Sequence, residues 1–280
     1  MITRAMDGSI DMGEAYTKGS LVCVGTGLNL GGQITVLSKS YIELADVVFS
    51  LVPDAFSLQW LQKMNSDVRS LHRYYAQGDE VKSRRDTYQQ MVEAILTQVR
   101  AGKRVVCALY GHPGVFACVS HMAIRRAREE GFEAKMEPGI SAEACLWADV
   151  GIDPGQSGHQ SFEASQFMFY CHTPDPATHL LLWQIAIAGE HTLTKFHTNS
   201  DCLRVLVEQL SEWYPLDHKV ILYEAPNLPT QAPRIERLSL KALPEARLSP
   251  ITTLLIPPAA PLSVNHKVLA KLGISEDLLG

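Results

Sequence analysis

Arg84 and Tyr88 stand four residues apart in the run Arg84-Arg85-Asp86-Thr87-Tyr88. In a helix that spacing puts both side chains on one face. A phenol ordinarily titrates near pH ~10, and a guanidinium beside it favours the phenolate, so the pair could form a general base. On spacing alone, the commoner arrangement is an amphipathic helix whose Arg and Tyr stems lie on apolar surface with their polar tips in water. Three loops could hold a ligand: Gly25-Thr26-Gly27, Tyr110-Gly111-His112-Pro113-Gly114-Val115-Phe116 and Glu137-Pro138-Gly139-Ile140-Ser141-Ala142. Glycine lets a backbone turn sharply and approach a ligand, and open α/β sheets bind ligands where strands end. The first loop departs from a dinucleotide fingerprint, because Leu30 takes the place of the third glycine and Asp46 precedes the second strand instead of ending it. The histidines and cysteines show no metal-ligand spacing, and no metal is expected.

The elements that must carry these residues follow from periodicity. Leu21-Val22-Cys23-Val24, residues 47–52 and residues 105–110 are short apolar runs that read as buried strands. Residues 33–44 have helical spacing, with Ile34, Leu37, Tyr41 and Leu44 on one face. Residues 84–99 predict a long helix ended by Gly102, residues 115–130 another, and a further helix starts at Ser141. Strands alternating with helices predict a mostly parallel α/β sheet. After Asp153-Pro154-Gly155 the texture changes. Residues 165–170, 219–223 and 252–256 read as strands and residues 201–212 as a helix, while residues 179–188 fit either.

At 280 residues the chain has room for roughly two domains. The expected divisions are a flexible extension over 1–19, an N-terminal α/β domain over 20–157, a C-terminal α/β domain over 158–260 and a tail helix over 261–280. A net charge of −5 argues against a general nucleic-acid binder. No apolar run reaches the roughly 18 residues needed to cross a bilayer, and the N-terminus lacks a signal-peptide core, so no membrane partner is expected and the cytoplasm is the expected compartment. The six cysteines, with no C-x-x-C pair, read as free buried thiols.

Val24-Gly25-Thr26-Gly27, Ala45-Asp46-Val47-Val48, Gly111-His112-Pro113-Gly114 and Glu137-Pro138-Gly139-Ile140-Ser141 resemble the tetrapyrrole-methylase superfamily. These are class III S-adenosylmethionine (SAM) methyltransferases, and the resemblance implies two α/β domains with the SAM cleft between them. Gly27-Leu28-Asn29 stands where that superfamily usually carries Gly-Pro-Gly near the acceptor, so a tetrapyrrole acceptor does not carry over. Tyr74-Tyr75, the Arg84 to Tyr88 run, the 110–116 loop and His179-Leu180-Leu181-Leu182-Trp183-Gln184 together resemble the borosin peptide backbone N-methyltransferases over residues 20–258. That resemblance implies catalytic roles for Tyr75, Arg84, Tyr88 and Tyr110. It implies SAM contacts, with S-adenosylhomocysteine as product, at Tyr110, His112, Val115, Phe116, Ser141, Ala142, Gln184, Ala225, Thr252 and Thr253. His112 by itself reads as a loop-shaping residue.

The residue types suit the chemistry. A peptide nitrogen is a poor nucleophile because its lone pair is delocalised into the carbonyl. Methylating it requires removal of the N–H proton and stabilisation of charge on the carbonyl oxygen. Tyr88 suits the first task, and Arg84 or Tyr75 the second. The expected activity is iterative backbone N-methylation of a ribosomally made precursor. The rivals are a tetrapyrrole or other small-molecule methyltransferase of the same fold, and a SAM-binding scaffold without turnover. After Pro257-Pro258 only 22 residues follow (280 minus 258). The expected substrate is therefore a separate precursor peptide with a helical docking domain. It would be held by a homodimer as a heterotetramer with two precursor chains.

Overall fold

The computed structural model describes residues 18–77 and 80–279, and most of the extension expected over 1–19 lies outside the described residues. The chain divides into two compact units. The first holds the described residues through Thr26, then Ile34–Tyr75 and Asp86–Gly139. The second holds Gly27–Gln33, the described residues from Ala76 to Arg85, and the chain from Ile140 onward.

The first unit contains β1 (Ser20–Gly25), α1 (Val36–Leu44), β2 (Val47–Leu51), α2 (Ala55–Met64), β3 (Val68–Ser70), most of α3 (Arg84–Arg100), β4 (Arg104–Leu109), α4 (Cys118–Glu129) and β5 (Glu133–Met136). Its strands lie in the order β3-β2-β4-β1-β5, and every pairing is parallel. Side chains alternate across a strand, so β1 sends Leu21 and Cys23 into one core with Met91, Ile95 and Ala123, and Val22 and Val24 into another with Ile42 and Leu61. With helices on both faces, β1 needs apolar residues at every position, which is why it reads as a continuous apolar run. Because β4, β1 and β5 are adjacent and parallel, the three glycine-bearing loops leave the same, carboxyl, end of the sheet.

The second unit contains α5 (Ala142–Val150), β6 (His159–Glu163), α6 (Ala164–Phe169), β7 (His179–Trp183), α7 (Ser200–Leu210), β8 (Lys219–Glu224), β9 (Arg234–Ser239), β10 (Thr253–Ile256) and α8 (His266–Leu272). The strand order is β6-β7-β10-β8-β9, parallel only between β6 and β7 and antiparallel elsewhere. Helix α7 buries Leu203, Leu206, Val207 and Leu210, the i, i+3, i+4, i+7 stripe of a helix with one face on a core.

Several expectations need correction. Residues 165–170 are not a strand. The Glu163 side chain accepts from Gln166 N at 2.7 Å and starts α6, and this cap outweighs the local apolar pattern. Residues 179–188 resolve as strand β7 followed by a short 3-10 turn at Ile185–Ile187, because Gln184 turns left-handed with φ 57°. The face of α1 that packs inward carries Ser38 and Ile42, while Leu37 and Leu44 are exposed. Helix α4 starts at Cys118 rather than 115. Of the six cysteines, Cys23, Cys107 and Cys145 are buried, whereas Cys118 and Cys171 are exposed. Helix α8 forms in the tail but buries none of its residues. No helix among the described residues is long and apolar enough to cross a membrane.

Candidate active site

In the first unit the strand ends meet as bare backbone. A Cβ on Gly25 would lie 2.3 Å from the Gly111 carbonyl oxygen and 3.0 Å from Gly139 Cα, and one on Gly139 would lie 2.8 Å from the same oxygen. Only glycine permits that approach. Each loop starts tied to a neighbouring strand: Thr26 N donates to Leu109 O at 2.9 Å, Tyr110 N to Leu51 O at 3.1 Å and Glu137 N to Cys23 O at 2.9 Å.

The loop after β4 is then pinned from within. Gly114 N donates to His112 Nδ1 at 3.0 Å, and Ser120 Oγ donates to Pro113 O. Burial, with the nearby His121, pushes the His112 imidazole below its usual pKa. A neutral ring accepting from the backbone is a loop-shaping group, as expected. Phe116 has φ 51°, an unusual state for a bulky residue, and both Val115 and Phe116 keep their apolar side chains exposed.

Two of the catalytic candidates are brought together in this unit. The Tyr75 and Tyr88 rings lie edge to face, centroids 6.5 Å apart, a favoured aromatic geometry. Tyr75 follows the 3-10 turn Leu71–Tyr74, whose His72 Nε2 is bound to Val52 O at 2.7 Å. Tyr110 is the first residue after β4 and is half-buried.

Arg84 opens α3 one turn ahead of Tyr88, and its side chain is only 11% exposed. Its Nη2 pairs with Glu190 Oε2 at 3.0 Å, and the Glu190 side chain is 6% exposed. Its guanidinium lies over the Phe196 ring at 5.4 Å, and its backbone N donates to Leu193 O at 2.8 Å. Nε is buried and has no acceptor among the described residues. Glu190, Leu193 and Phe196 carry no motif, and the partners are 106 positions apart in the chain, so nothing in the local sequence signals them.

The remaining candidates lie in the second unit. Ser141 caps α5, its hydroxyl accepting from Ala144 N at 3.3 Å, and Ala142 is the first helical residue. Gln184 sits at the left-handed turn that ends β7. Ala225, Thr252 and Thr253 are buried. The Thr252 hydroxyl donates inward to Glu224 Oε1, which also accepts from Ser249 Oγ at 2.9 Å and pairs with Arg234 Nη1 at 2.8 Å. Burial pushes the Glu224 carboxyl up, but the bonds from Thr252, Ser249 and Arg234 together outweigh it and hold the group below the usual carboxylate range. Among the described residues no group of three or more His, Cys, Asp or Glu is placed to hold a metal ion.

The fold recurs in solved structures. Cobalt precorrin-4 methyltransferase superposes with a TM-score of 0.60 at 17% identity, covering 86% of this chain and 96% of that one, which establishes the fold. Among curated proteins, the methyltransferase/ribosomally synthesized cyclic peptide gymnopeptides precursor of Gymnopus fusipes is 41% identical over 244 residues, 86% of this chain and 57% of its own length. The methyltransferase/ribosomally synthesized type I borosin cyclic peptide precursor of Coprinopsis marcescibilis is 38% identical over 267 residues, 92% of this chain and 68% of its own. The chain thus spans a little over half to two thirds of these relatives. Residues 20–243, from the first strand through the second unit's β9, match the model of the Tetrapyrrole (Corrin/Porphyrin) Methylases, and with glycine-lined loops at parallel strand ends and borosin relatives above 30% identity, the chain belongs to that family.

Proposed function

We propose that the chain is a SAM-dependent methyltransferase that iteratively methylates backbone amide nitrogens of a ribosomally made precursor peptide. The observation that carries this reading is the Arg84 guanidinium, buried, with an Nε that has no acceptor among the described residues, one helical turn ahead of Tyr88. A buried unmade hydrogen bond costs about 1–3 kcal/mol, and a substrate oxygen would satisfy it. The names of the relatives, which join a methyltransferase with a cyclic peptide precursor, support a peptide amide as the acceptor.

The described residues suit SAM. Gly25 and Gly139 let the loops after β1, β4 and β5 converge backbone on backbone, and Val115 and Phe116 keep exposed apolar side chains in the loop after β4. Tyr110, His112, Val115 and Phe116 of the first unit, and Ser141, Ala142, Gln184, Ala225, Thr252 and Thr253 of the second, are the residues proposed to hold it. Because Ala225, Thr252 and Thr253 are buried, their share would come through the main chain. SAM supplies a methyl group on a positively charged sulfur.

The chain's own residues then do the following. Tyr88 is the general base for the substrate amide proton, and Arg84 Nε–H donates to the carbonyl oxygen as negative charge develops there. Tyr75, packed edge-on, fixes the Tyr88 ring. Since Glu190 compensates the Arg84 charge, Arg84 acts as an oriented hydrogen-bond donor more than as a bare cation. The Gymnopus and Coprinopsis relatives are named as methyltransferase and precursor in one polypeptide. They favour a tethered precursor segment over the separate chain expected from the sequence. The same reading carries a homodimer in which each active site serves one precursor segment.

The test is a pair of variants assayed on the precursor segment encoded in the same or the neighbouring reading frame. Arg84→Ala is expected to lower turnover by about 10²–10³, the usual cost of one oxyanion donor, and Tyr88→Phe by about 10²–10⁴, the usual contribution of a general base, while SAM affinity by calorimetry changes little. Near-normal turnover in both variants would remove the catalytic assignment.

A further inference from the structure

Residues 190–196 form a collar around the start of α3. Glu190 Oε1 accepts from Thr192 N at 2.9 Å and from the Thr192 hydroxyl, and that hydroxyl lies 2.7 Å from Thr194 Oγ1. Glu190 Oε2 is left for Arg84 Nη2. Leu193 is held at φ 59°, a costly state for a branched side chain, and in that state its carbonyl accepts from Arg84 N. The Arg84 Cζ lies over the Phe196 ring, 5.4 Å from its centroid. A planar guanidinium with its backbone tied, an aromatic ring beside it and one terminal nitrogen spent has little rotational freedom left. Burial pushes the Glu190 carboxyl up, but Thr192 and the Arg84 charge outweigh it and keep it ionised.

We propose that Glu190 is a positioning residue, held by Thr192, that fixes the Arg84 guanidinium so that its Nε–H is presented to the substrate carbonyl oxygen. This inference rests on the proposed role of Arg84 as donor to the substrate. It assigns the reason for a strained loop and a buried carboxylate that the catalytic set leaves unexplained. A group held in this way contributes by orientation, so its loss lowers the rate of the chemical step without weakening cofactor binding.

The experiment is a double-mutant cycle of Glu190→Gln and Arg84→Lys, with kcat, peptide KM and SAM affinity measured for each. Glu190→Gln is expected to lower kcat by about tenfold or more, with KM and SAM affinity within about threefold. In the Arg84→Lys background the same change is expected to cost less than about threefold, because the group it positions is already gone. An equal loss in both backgrounds, a loss of SAM affinity matching the loss of kcat, or no loss at all would overturn the inference. If Arg84→Lys itself keeps full turnover, the reading of Arg84 fails first. If Arg84→Lys is crippled and Glu190→Gln is not, only the inference about Glu190 fails. Should Glu190→Gln not fold, Thr192→Val replaces it in the cycle. It keeps the carboxylate but removes its hydroxyl tether, so a fall in kcat confined to the Arg84 background supports the proposal and an unchanged kcat overturns it.

Discussion

Gly25 ends β1 and Glu224 ends β8, each an internal strand of its own sheet, and their surroundings differ in kind. Around Gly25 the packing is backbone on backbone, with Gly111 O and Gly139 Cα in the space a side chain would need. Around Glu224 the packing is side chain on side chain, with Ser249, Thr252 and Arg234 converging on one carboxylate. The first arrangement is intolerant of any added atom. The second spreads its stability over several bonds and can lose one. The parallel sheet keeps its precision in shape, the mixed one in hydrogen-bond geometry.

The largest effect is expected where shape is the constraint. Gly25→Ala drives a Cβ against the Gly111 oxygen, so the β1 or β4 loop must move. Overpacking of this sort costs about 1–3 kcal/mol, and calorimetry is expected to show SAM binding lost along with it. A variant that melts and binds like the parent would break the comparison, because the three strand ends would then have slack.

A smaller effect is expected at Glu224. Thr252→Val removes one of its bonds but leaves Ser249 and Arg234, for a loss of about 1 kcal/mol in chemical denaturation. The sign with pH is fixed by the direction of the shift. The folded carboxyl sits below the ordinary value, so its contribution is fully present above the unfolded pKa and is lost as pH falls below it. Glu224→Gln is expected to flatten that acid-side decline. An unchanged slope would show that the network does not depend on the charge.

These two regions were unequally legible in the sequence. The β1, β2 and β4 strands announce themselves as largely apolar runs because both faces of their sheet are covered, and glycines mark the loops that follow β1 and β4. In the mixed sheet, β9 reads Arg234-Ile235-Glu236-Arg237-Leu238-Ser239 at an edge, with no continuous apolar signal. Residues 165–170 look like a strand until the Glu163 cap is seen. The candidate site divides in the same way. Arg84 and Tyr88 stand out by i, i+4 spacing, and Tyr75 meets Tyr88 in the fold. Glu190 could not be read, because its pairing with Arg84 is set by the fold across 106 positions.

The proposed acceptor is a peptide backbone nitrogen. The most direct test is mass spectrometry of the precursor segment after incubation of this chain with SAM, with fragment ions placing each added methyl. The expected result is a ladder of single-methyl increments, each on a main-chain nitrogen, that disappears in Arg84→Ala and Tyr88→Phe. Methyl groups on side chains, or an unmodified peptide from a chain that turns SAM over on a small molecule, would contradict it.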